Sequence, residues 1–367
     1  MSRRGAIAFF LPSLQGGGAE RVIANLAQGI AERGLPVDLV VAAAEGAFLE
    51  QVSPDVRLVD LGGRRVLQSL GRLTGYLRRE QPRVLISSMS HANVVALWAA
   101  RLARRATPVI VTVHNTMSRS TPGQGRLAQA LWPYLLRSFY PWASHVVAVS
   151  RGAADDLAHT AGLPRSGVRV VYNPVITPAM LSLARQAPDH PWFGPDRPPV
   201  ILGVGRLTRQ KDFPTLIRAF AEVRRCRSAR LMIMGEGEER PTLEALVSQL
   251  GLMDDVALPG FRDNAISYLA ASALFVLSSA WEGLPTVLIE GLAVGTRVVS
   301  TDCPSGPREI LQEGLLGALV PVGNPAAMAE AMLAALEQPR GTIPIDVLTP
   351  FSLDAAVDHY LHLIENA

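Results

Sequence analysis

PVILGVGRLTRQKDF, residues 199–213, decides the fold. It opens on an apolar, β-branched run, breaks at Gly203 and Gly205, and passes through a polar turn into an amphipathic segment. An apolar run without alternation predicts a strand buried on both faces, as in a parallel sheet. Glycines at its end predict a tight turn into the next helix. The same pattern recurs downstream in ARLMIMG, DVALPG, ALFVLS, TRVVST and GALVPV, each followed by a helical segment. Upstream, AIAFFL, VDLVVAA, VRLVDL, RVLISS, PVIVTV, HVVAVS and VRVVY alternate with segments such as ERVIANLAQGIAERG and RGAADDLAHTAG. The fold class that follows is α/β, with two Rossmann-like domains in tandem and a cleft between them.

The chain has 367 residues, too many for one ordinary core and suited to two. The expected divisions are a first domain over 1–175, a linker over 176–198, a second domain over 199–350 and a helical tail over 351–367. The linker is dense in proline and holds no strand pattern. Ser352 and Asp354 suit the start of the tail helix, which could cross back to the first domain. A composition of 49% hydrophobic and 18% charged residues excludes disorder. No run approaches the roughly 20 apolar residues of a membrane span. Two cysteines, Cys226 and Cys303, exclude a disulfide framework and a cysteine-rich metal site, and fit a reducing compartment. Arg3 and Arg4 before AIAFFLPSL have the outline of a signal peptide. The run continues into GGGAERVIANLA without a small-residue cleavage site, so a first strand entering a glycine loop is the expectation, in a cytoplasmic protein.

Charge is uneven. Residues 1–175 hold 20 arginines against 10 acids, and the remainder holds 15 cations against 22 acids. A basic first half suits an anionic membrane surface or a polyanion. Trp132, Tyr134, Phe139, Tyr140 and Trp142 lie among Arg126 and Arg137, a mixture found at membrane interfaces. A core helix with solvated arginines reads equally well. No nucleic-acid-binding motif accompanies the charge, so nucleic acid is not an expected partner. Lys211 is the single lysine beside 34 arginines, which suggests a position needing a compact ammonium.

Several signatures are missing. GGGAER (16–21), GVGRLT (203–208) and GEGEER (235–240) each lack the last glycine of a dinucleotide fingerprint. There is no Walker A sequence, G-x-S-x-G elbow, H-E-x-x-H or D-x-D. The last is the usual carboxylate pair holding a divalent metal on a diphosphate. What is present is Arg206 and Lys211 in the turn after one strand, at the sheet edge where α/β folds bind ligands. Two cations there suit a diphosphate. The second piece is SSAWEGLPTVLIEGLAVG (278–295), which places Glu282 in a loop after a strand and Glu290 inside the next helix. Pro285 suits that helix's first turn, and the N–H groups of Gly283, Leu284, Thr286 and Val287 would form an anion site.

These motifs resemble the donor domain of retaining GT-B glycosyltransferases of family 4. The likeness runs from Gly203 to Val322 through GRLTRQKDF, GEGEE, LPGF, SSAWEGLPTVLIEGLAVGTRVV and CPSGPREIL. It continues more loosely through GGGAERV, VTVHN and VVAVSRG in the first half. The resemblance implies two Rossmann-like domains facing across a cleft and metal-independent transfer of a sugar from a nucleotide-sugar, UDP by family weight. The acceptor it implies is a saccharide, lipid-linked in envelope synthesis, with the protein peripheral on the inner membrane face. No cofactor or metal is implied. Arg206 and Lys211 would neutralise the diphosphate, Glu282 with Gly283 and Leu284 would hold sugar hydroxyls, and Glu290 the ribose. Gly235, Gly237, Phe261 and Arg262 would shape the nucleoside pocket. Gly16 and Gly17 would approach the phosphate, and His114 would face the donor sugar across the cleft.

Arg297 stands where proline is frequent in the family, and EGLP replaces the commoner EGFG. His114 also fits a satisfied core histidine, and Cys303 reads as a packing residue. An epimerase of the nucleotide-sugar 2-epimerase kind, or a non-catalytic nucleotide-binding scaffold, are the alternatives to a transferase.

Overall fold

The computed structural model describes residues 5–15, 18–46, 49, 52–63, 65–104, 107–118, 126–341 and 343–367. The chain divides into two compact units, Met1–Val175 with Pro350–Ala367, and Ile176–Thr349.

The first unit begins with β1 (Ile7–Leu11), α1 (Gly18–Glu32), β2 (Val37–Val41) and β3 (Val56–Asp60). It continues with α2 (Leu70–Glu80), β4 (Val84–Ser88), α3 (Ser90–Ala103) and β5 (Val109–Val113). Then come α4 (Arg126–Phe139), β6 (His145–Ala148), α5 (Arg151–Ala161) and β7 (Val168–Val170). The seven strands are parallel in the order β3-β2-β1-β4-β5-β6-β7. Every residue of β1, β2, β4 and β5 is buried, which is why these strands read as unbroken apolar runs. Alternate residues feed two cores. Phe10, Val40, Leu85 and Val111 face one side, and Phe9, Leu39, Ile86 and Ile110 the other. The AIAFFL run thus supplies a central strand of this sheet.

In the second unit, α6 (Pro178–Leu183) precedes β8 (Val200–Val204), α7 (Phe213–Cys226), β9 (Arg230–Met234) and α8 (Arg240–Gln249). Next are β10 (Val256–Gly260), α9 (Ala265–Ala271), β11 (Leu274–Leu277) and α10 (Thr286–Ala293). The unit ends with β12 (Val298–Thr301), α11 (Pro307–Ile310), β13 (Ala318–Val320), α12 (Pro325–Glu337) and α13 (Ile345–Leu348). Its six parallel strands run β10-β9-β8-β11-β12-β13. The order reverses between β8 and β11, and in such sheets ligands bind beyond the strand C-termini at that point.

The proline-rich stretch 176–198 falls within the second unit. Tyr268 Oη donates to the Asp189 carbonyl at 3.0 Å, and Asn264 Nδ2 to Gln186 Oε1 at 2.7 Å. The tail forms α14 (Leu353–Glu365), started by the Ser352 hydroxyl accepting from the Ala355 N–H. It lies on α1, where Gly29 leaves room: a Cβ there would stand 2.9 Å from Leu353 Cδ1 and from Val357 Cγ2. Val357, Tyr360 and Ile364 share a core with Ile23, Leu26 and Ile30, each buried side chain contributing roughly 1.5–3 kcal/mol.

Candidate functional site

The loops leaving β8 and β11 are joined by side chains. Lys211 Nζ donates to Glu282 Oε1 at 2.6 Å, with side chains only 16% and 7% exposed. Ser279 Oγ donates to the same oxygen at 2.7 Å. Ser278 Oγ donates to the Lys211 carbonyl at 2.7 Å, and Gln210 Nε2 to the Trp281 carbonyl at 2.9 Å. The Ala280 N–H closes the link on the Gln210 carbonyl at 2.8 Å. The sequence treats Lys211 and Glu282 as separate contacts, and the structure makes them one ion pair. Ser278, Ser279 and Gln210 escaped the sequence reading. Their one signal is the pair of hydroxyls directly at the end of an apolar strand.

An ammonium carries three N–H bonds, so pairing with Glu282 leaves Lys211 two for a ligand. Arg206 is exposed and forms no ion pair with a carboxylate among the described residues. Because Lys211 and Glu282 offset each other, Arg206 supplies the uncompensated positive charge of this loop. The two cations are therefore unlike: one held and partly neutralised, the other free to follow an anion.

The neighbouring loops are stitched to this turn through backbone. The Gly205 N–H donates to the Met234 carbonyl at 3.0 Å, Leu207 to Glu236 at 2.8 Å and Gly235 to Gly260 at 3.0 Å. Gly235 has φ +141°, and a Cβ there would lie 2.0 Å from the Gly205 carbonyl oxygen. At Gly237 a Cβ would lie 2.3 Å from the Leu207 oxygen. Phe261 and Arg262 follow β10 and are both exposed. Arg206, Gly235, Gly237 and Phe261 thus sit on consecutive turns at one edge of the sheet.

Pro285 is the residue flanking α10, one position before the first helical turn assigned to it from sequence. Leu284 and Val287 are buried, so only their backbone can meet a ligand. The first N–H groups of α10 lack intrahelical acceptors, as at any helix start, and offer a partial positive charge. Glu290 is buried in the second turn. The loop after β12 supports this helix start. The Glu282 N–H donates to the Pro304 carbonyl at 3.0 Å, and Gly306, at φ +95°, lies against Pro285. Burial and the Glu282 charge push the Cys303 thiol up to about 12, so it stays protonated and serves as a packing residue.

In the first unit, His114 follows β5. Its Nε2 lies 3.2 Å from Thr112 Oγ1 and 3.4 Å from Ser88 Oγ, within a network that includes Asn93 and the buried Tyr140 hydroxyl. Its Nδ1 is buried and has no partner among the described residues. Burial lowers the imidazole pKa to about 4, so the ring is neutral near pH 7. The unfolded chain titrates near 6.5, so between these values it binds more protons than the folded state. Stability should therefore fall as pH drops from 6.5 towards 4, by on the order of 3 kcal/mol from this group. Urea midpoints at pH 7 and pH 4.5 check this, with a shallower fall expected in His114→Gln. Gly16 and Gly17 lie outside the described residues. Among the described residues, no cluster of three His, Cys, Asp or Glu side chains is placed to hold a metal ion.

Two family models match the chain. One, described as "Glycosyl transferases group 1", matches residues 198–338, and the other, "Glycosyltransferase Family 4", matches residues 16–177. The chain is 28% identical over 352 residues to a Campylobacter jejuni protein, covering 91% of each. That relative is an N-acetylgalactosamine-N,N'-diacetylbacillosaminyl-diphospho-undecaprenol 4-alpha-N-acetylgalactosaminyltransferase. The chain is also 29% identical over 365 residues to the Rhizobium meliloti lipopolysaccharide core biosynthesis glycosyltransferase LpsE, covering 95% of this chain and 96% of that one. Among solved structures, Anabaena HepE in complex with UDP and glucose superposes with TM-score 0.81 at 20% identity, over 99% of this chain and 100% of that one. The shared fold is that of the GT-B glycosyltransferases.

Proposed function

The chain belongs to the family 4 glycosyltransferases, a different family model matching each half, and from that premise we propose a metal-independent, retaining transfer of a sugar from UDP to a lipid-linked saccharide. The observation that carries this reading is the Lys211–Glu282 pair bridging the loops of β8 and β11, with Arg206, which has no ion pair among the described residues, in the same loop. The UDP assignment is supported by the UDP complexes of HepE, and the acceptor class by the diphospho-undecaprenol and lipopolysaccharide named for the relatives.

In this mechanism the bond between the sugar's anomeric carbon and the diphosphate oxygen breaks. Negative charge grows on the departing diphosphate while the carbon becomes oxocarbenium-like. Arg206, the two free N–H bonds of Lys211 and the start of α10 stabilise that charge. Glu282, fixed by Lys211 and Ser279, can accept from sugar hydroxyls, and Glu290 from the ribose. The acceptor hydroxyl attacks from the face the diphosphate leaves, and its proton passes to a departing phosphate oxygen. Configuration is thereby retained. Calorimetry with UDP, GDP and ADP in EDTA tests the donor site. UDP should bind without metal and lose binding on Lys211→Ala, whereas binding of NAD(P) alone, or only with a divalent ion, overturns the reading.

We place the acceptor's membrane on the outer faces of α3 and α4. Leu131 and Tyr134 are 50% and 68% exposed, and Leu135, Trp98 and Leu102 join them at the surface. Leu136, on the opposite side of α4, is wholly buried, so the helix has one face for the core and another apolar face outward. Arg101 stacks on Trp142 at 4.5 Å, which brings a cation to the end of α3, and Arg137 is exposed on α4. Exposed apolar side chains on helices that also carry arginines match an anionic bilayer. No helix among the described residues is long and apolar enough to cross a membrane. The protein should float with vesicles containing anionic lipid and not with neutral ones, and Leu131→Asp with Tyr134→Asp should abolish flotation.

A further inference from the structure

The edge of the second sheet opposite the Lys211–Glu282 pair carries a cavity of about 230 Å³. Trp192, Phe193, Arg197, Arg297 and Arg340 line it, with the chain just before β8 and β11. Two of the three arginines are anchored by carbonyl oxygens instead of carboxylates. Arg297 Nε donates to the Ala273 carbonyl at 2.9 Å, and its Nη1 to the carbonyls of Ala335, Leu336 and Gln338 at the end of α12. Arg340 donates to the carbonyls of Ala270 and Ser272. Arg197 is exposed and makes no hydrogen bond among the described residues.

Carbonyl anchors fix a guanidinium without cancelling its charge. None of Arg197, Arg227, Arg297 and Arg340 forms an ion pair with a carboxylate among the described residues. Burial first, and then the nearby charges of Arg340 and Arg227, lower the Arg297 pKa. Holding like charges together is unfavourable unless an anion joins them. The free N–H bonds are Nη2 of Arg297, the remaining hydrogens of Arg340 and the whole Arg197 fork, enough for a tetrahedral oxyanion. Beside them the ring of Trp192 is held rigid, stacked under Arg230 at 4.9 Å and edge-on to His190 at 5.1 Å. Phe193 is fixed edge-on to Tyr268 at 5.5 Å. A rigid aromatic wall next to a fixed cationic cluster suits a ligand with a compact carbon body and a phosphate group.

We propose that this cavity is a second binding site, taking a small phosphate monoester with its phosphate on Arg197, Arg297 and Arg340 and its carbon body against Trp192 and Phe193. The site is separate from the donor loops, since the five residues of β8 put roughly 15 Å between its start here and its end at Val204, where the turn to Arg206 begins. It does not depend on the transferase reading.

The test is calorimetric titration of the full chain with glucose 6-phosphate, inorganic phosphate and glucose. It is repeated on Arg197→Glu, Arg340→Met and Arg206→Ala. Glucose 6-phosphate should bind more tightly than inorganic phosphate, and glucose should give no signal. Arg197→Glu removes no hydrogen bond of the fold, so it should keep the thermal midpoint while weakening the ester at least about ten-fold, the effect of losing one charge-assisted contact. Arg340→Met should weaken it as well, and Arg206→Ala should leave it unchanged. Absence of heat at millimolar ester, equal binding by Arg197→Glu, or loss of binding in Arg206→Ala alone would each overturn the site.

Discussion

Replacing Lys211 by alanine should lower turnover by about 10²–10³-fold, the usual cost of removing one preorganised donor to developing negative charge. The geometry adds a second loss. Without the ammonium, the buried Glu282 carboxylate keeps only Ser279 as a side-chain partner among the described residues, and stranding one member of a buried pair costs up to about 3–5 kcal/mol. Lys211→Ala should therefore be both slow and less stable, and a slow enzyme alone would not separate the two causes. Glu282→Gln in the same chain separates them. Removing the stranded charge should restore much of the stability, while turnover stays low because no cation has been returned. Arginine is not a substitute either. The Lys211 stem crosses Gly205 closely enough that a Cβ on that glycine would stand 2.9 Å from Lys211 Cε, and a planar fork lacks that slim profile. Initial rates and urea midpoints of the two single variants and the double variant check this. A folded Lys211→Ala protein with wild-type turnover would remove Lys211 from the reaction and the proposed mechanism with it.

The division into two parallel-sheet units is legible in the sequence for a physical reason. Strands such as Ile7–Leu11 and Val109–Val113 are buried on both faces, so they carry no polar alternation to confuse the pattern. The start of α14 was legible as well, because a serine cap is a local device. The Lys211–Glu282 pair was not. Its members are 71 residues apart, and they meet only because the strand order reverses between β8 and β11. No local period encodes that neighbourhood. The packing of the stretch 176–198 was not legible for a related reason. Proline density and lack of period read as a linker, and the docking of Trp192 and Phe193 on Arg230 and Tyr268 rests on contacts that exist only once β9 and α9 are in place. Arg297 was visible only as a departure from the family's proline. Its hold on the end of α12 comes from the tertiary fold.

Gly235→Ala should be the most destabilising single-methyl change in the second unit, by more than about 4 kcal/mol, enough to leave that unit largely unfolded. Two effects act together. The residue sits at φ +141°, a conformation side chains avoid, and the added Cβ would meet the Gly205 carbonyl oxygen at 2.0 Å and its carbon at 2.9 Å. Relief requires one backbone to retreat from the other. Gly205 is held through its N–H on Met234, and Gly235 through its N–H on Gly260, so retreat breaks the links among three loops. Gly251→Ala is the control. It also has positive φ, +68°, but a Cβ there meets nothing within 4 Å, so only conformational strain of roughly 1–2 kcal/mol remains. The difference between the two variants measures the close approach together with the extra strain of φ +141° over φ +68°, which lies in the left-handed well. Denaturation of both proteins reads it directly, and a Gly235→Ala chain as stable as Gly251→Ala would mean the loops after β8, β9 and β10 do not meet as described. The glycine is thus demanded first by the meeting of backbones. Any role in admitting a nucleoside follows from that, because the same contact brings Arg206 and the turn at Gly237 to one edge of the sheet.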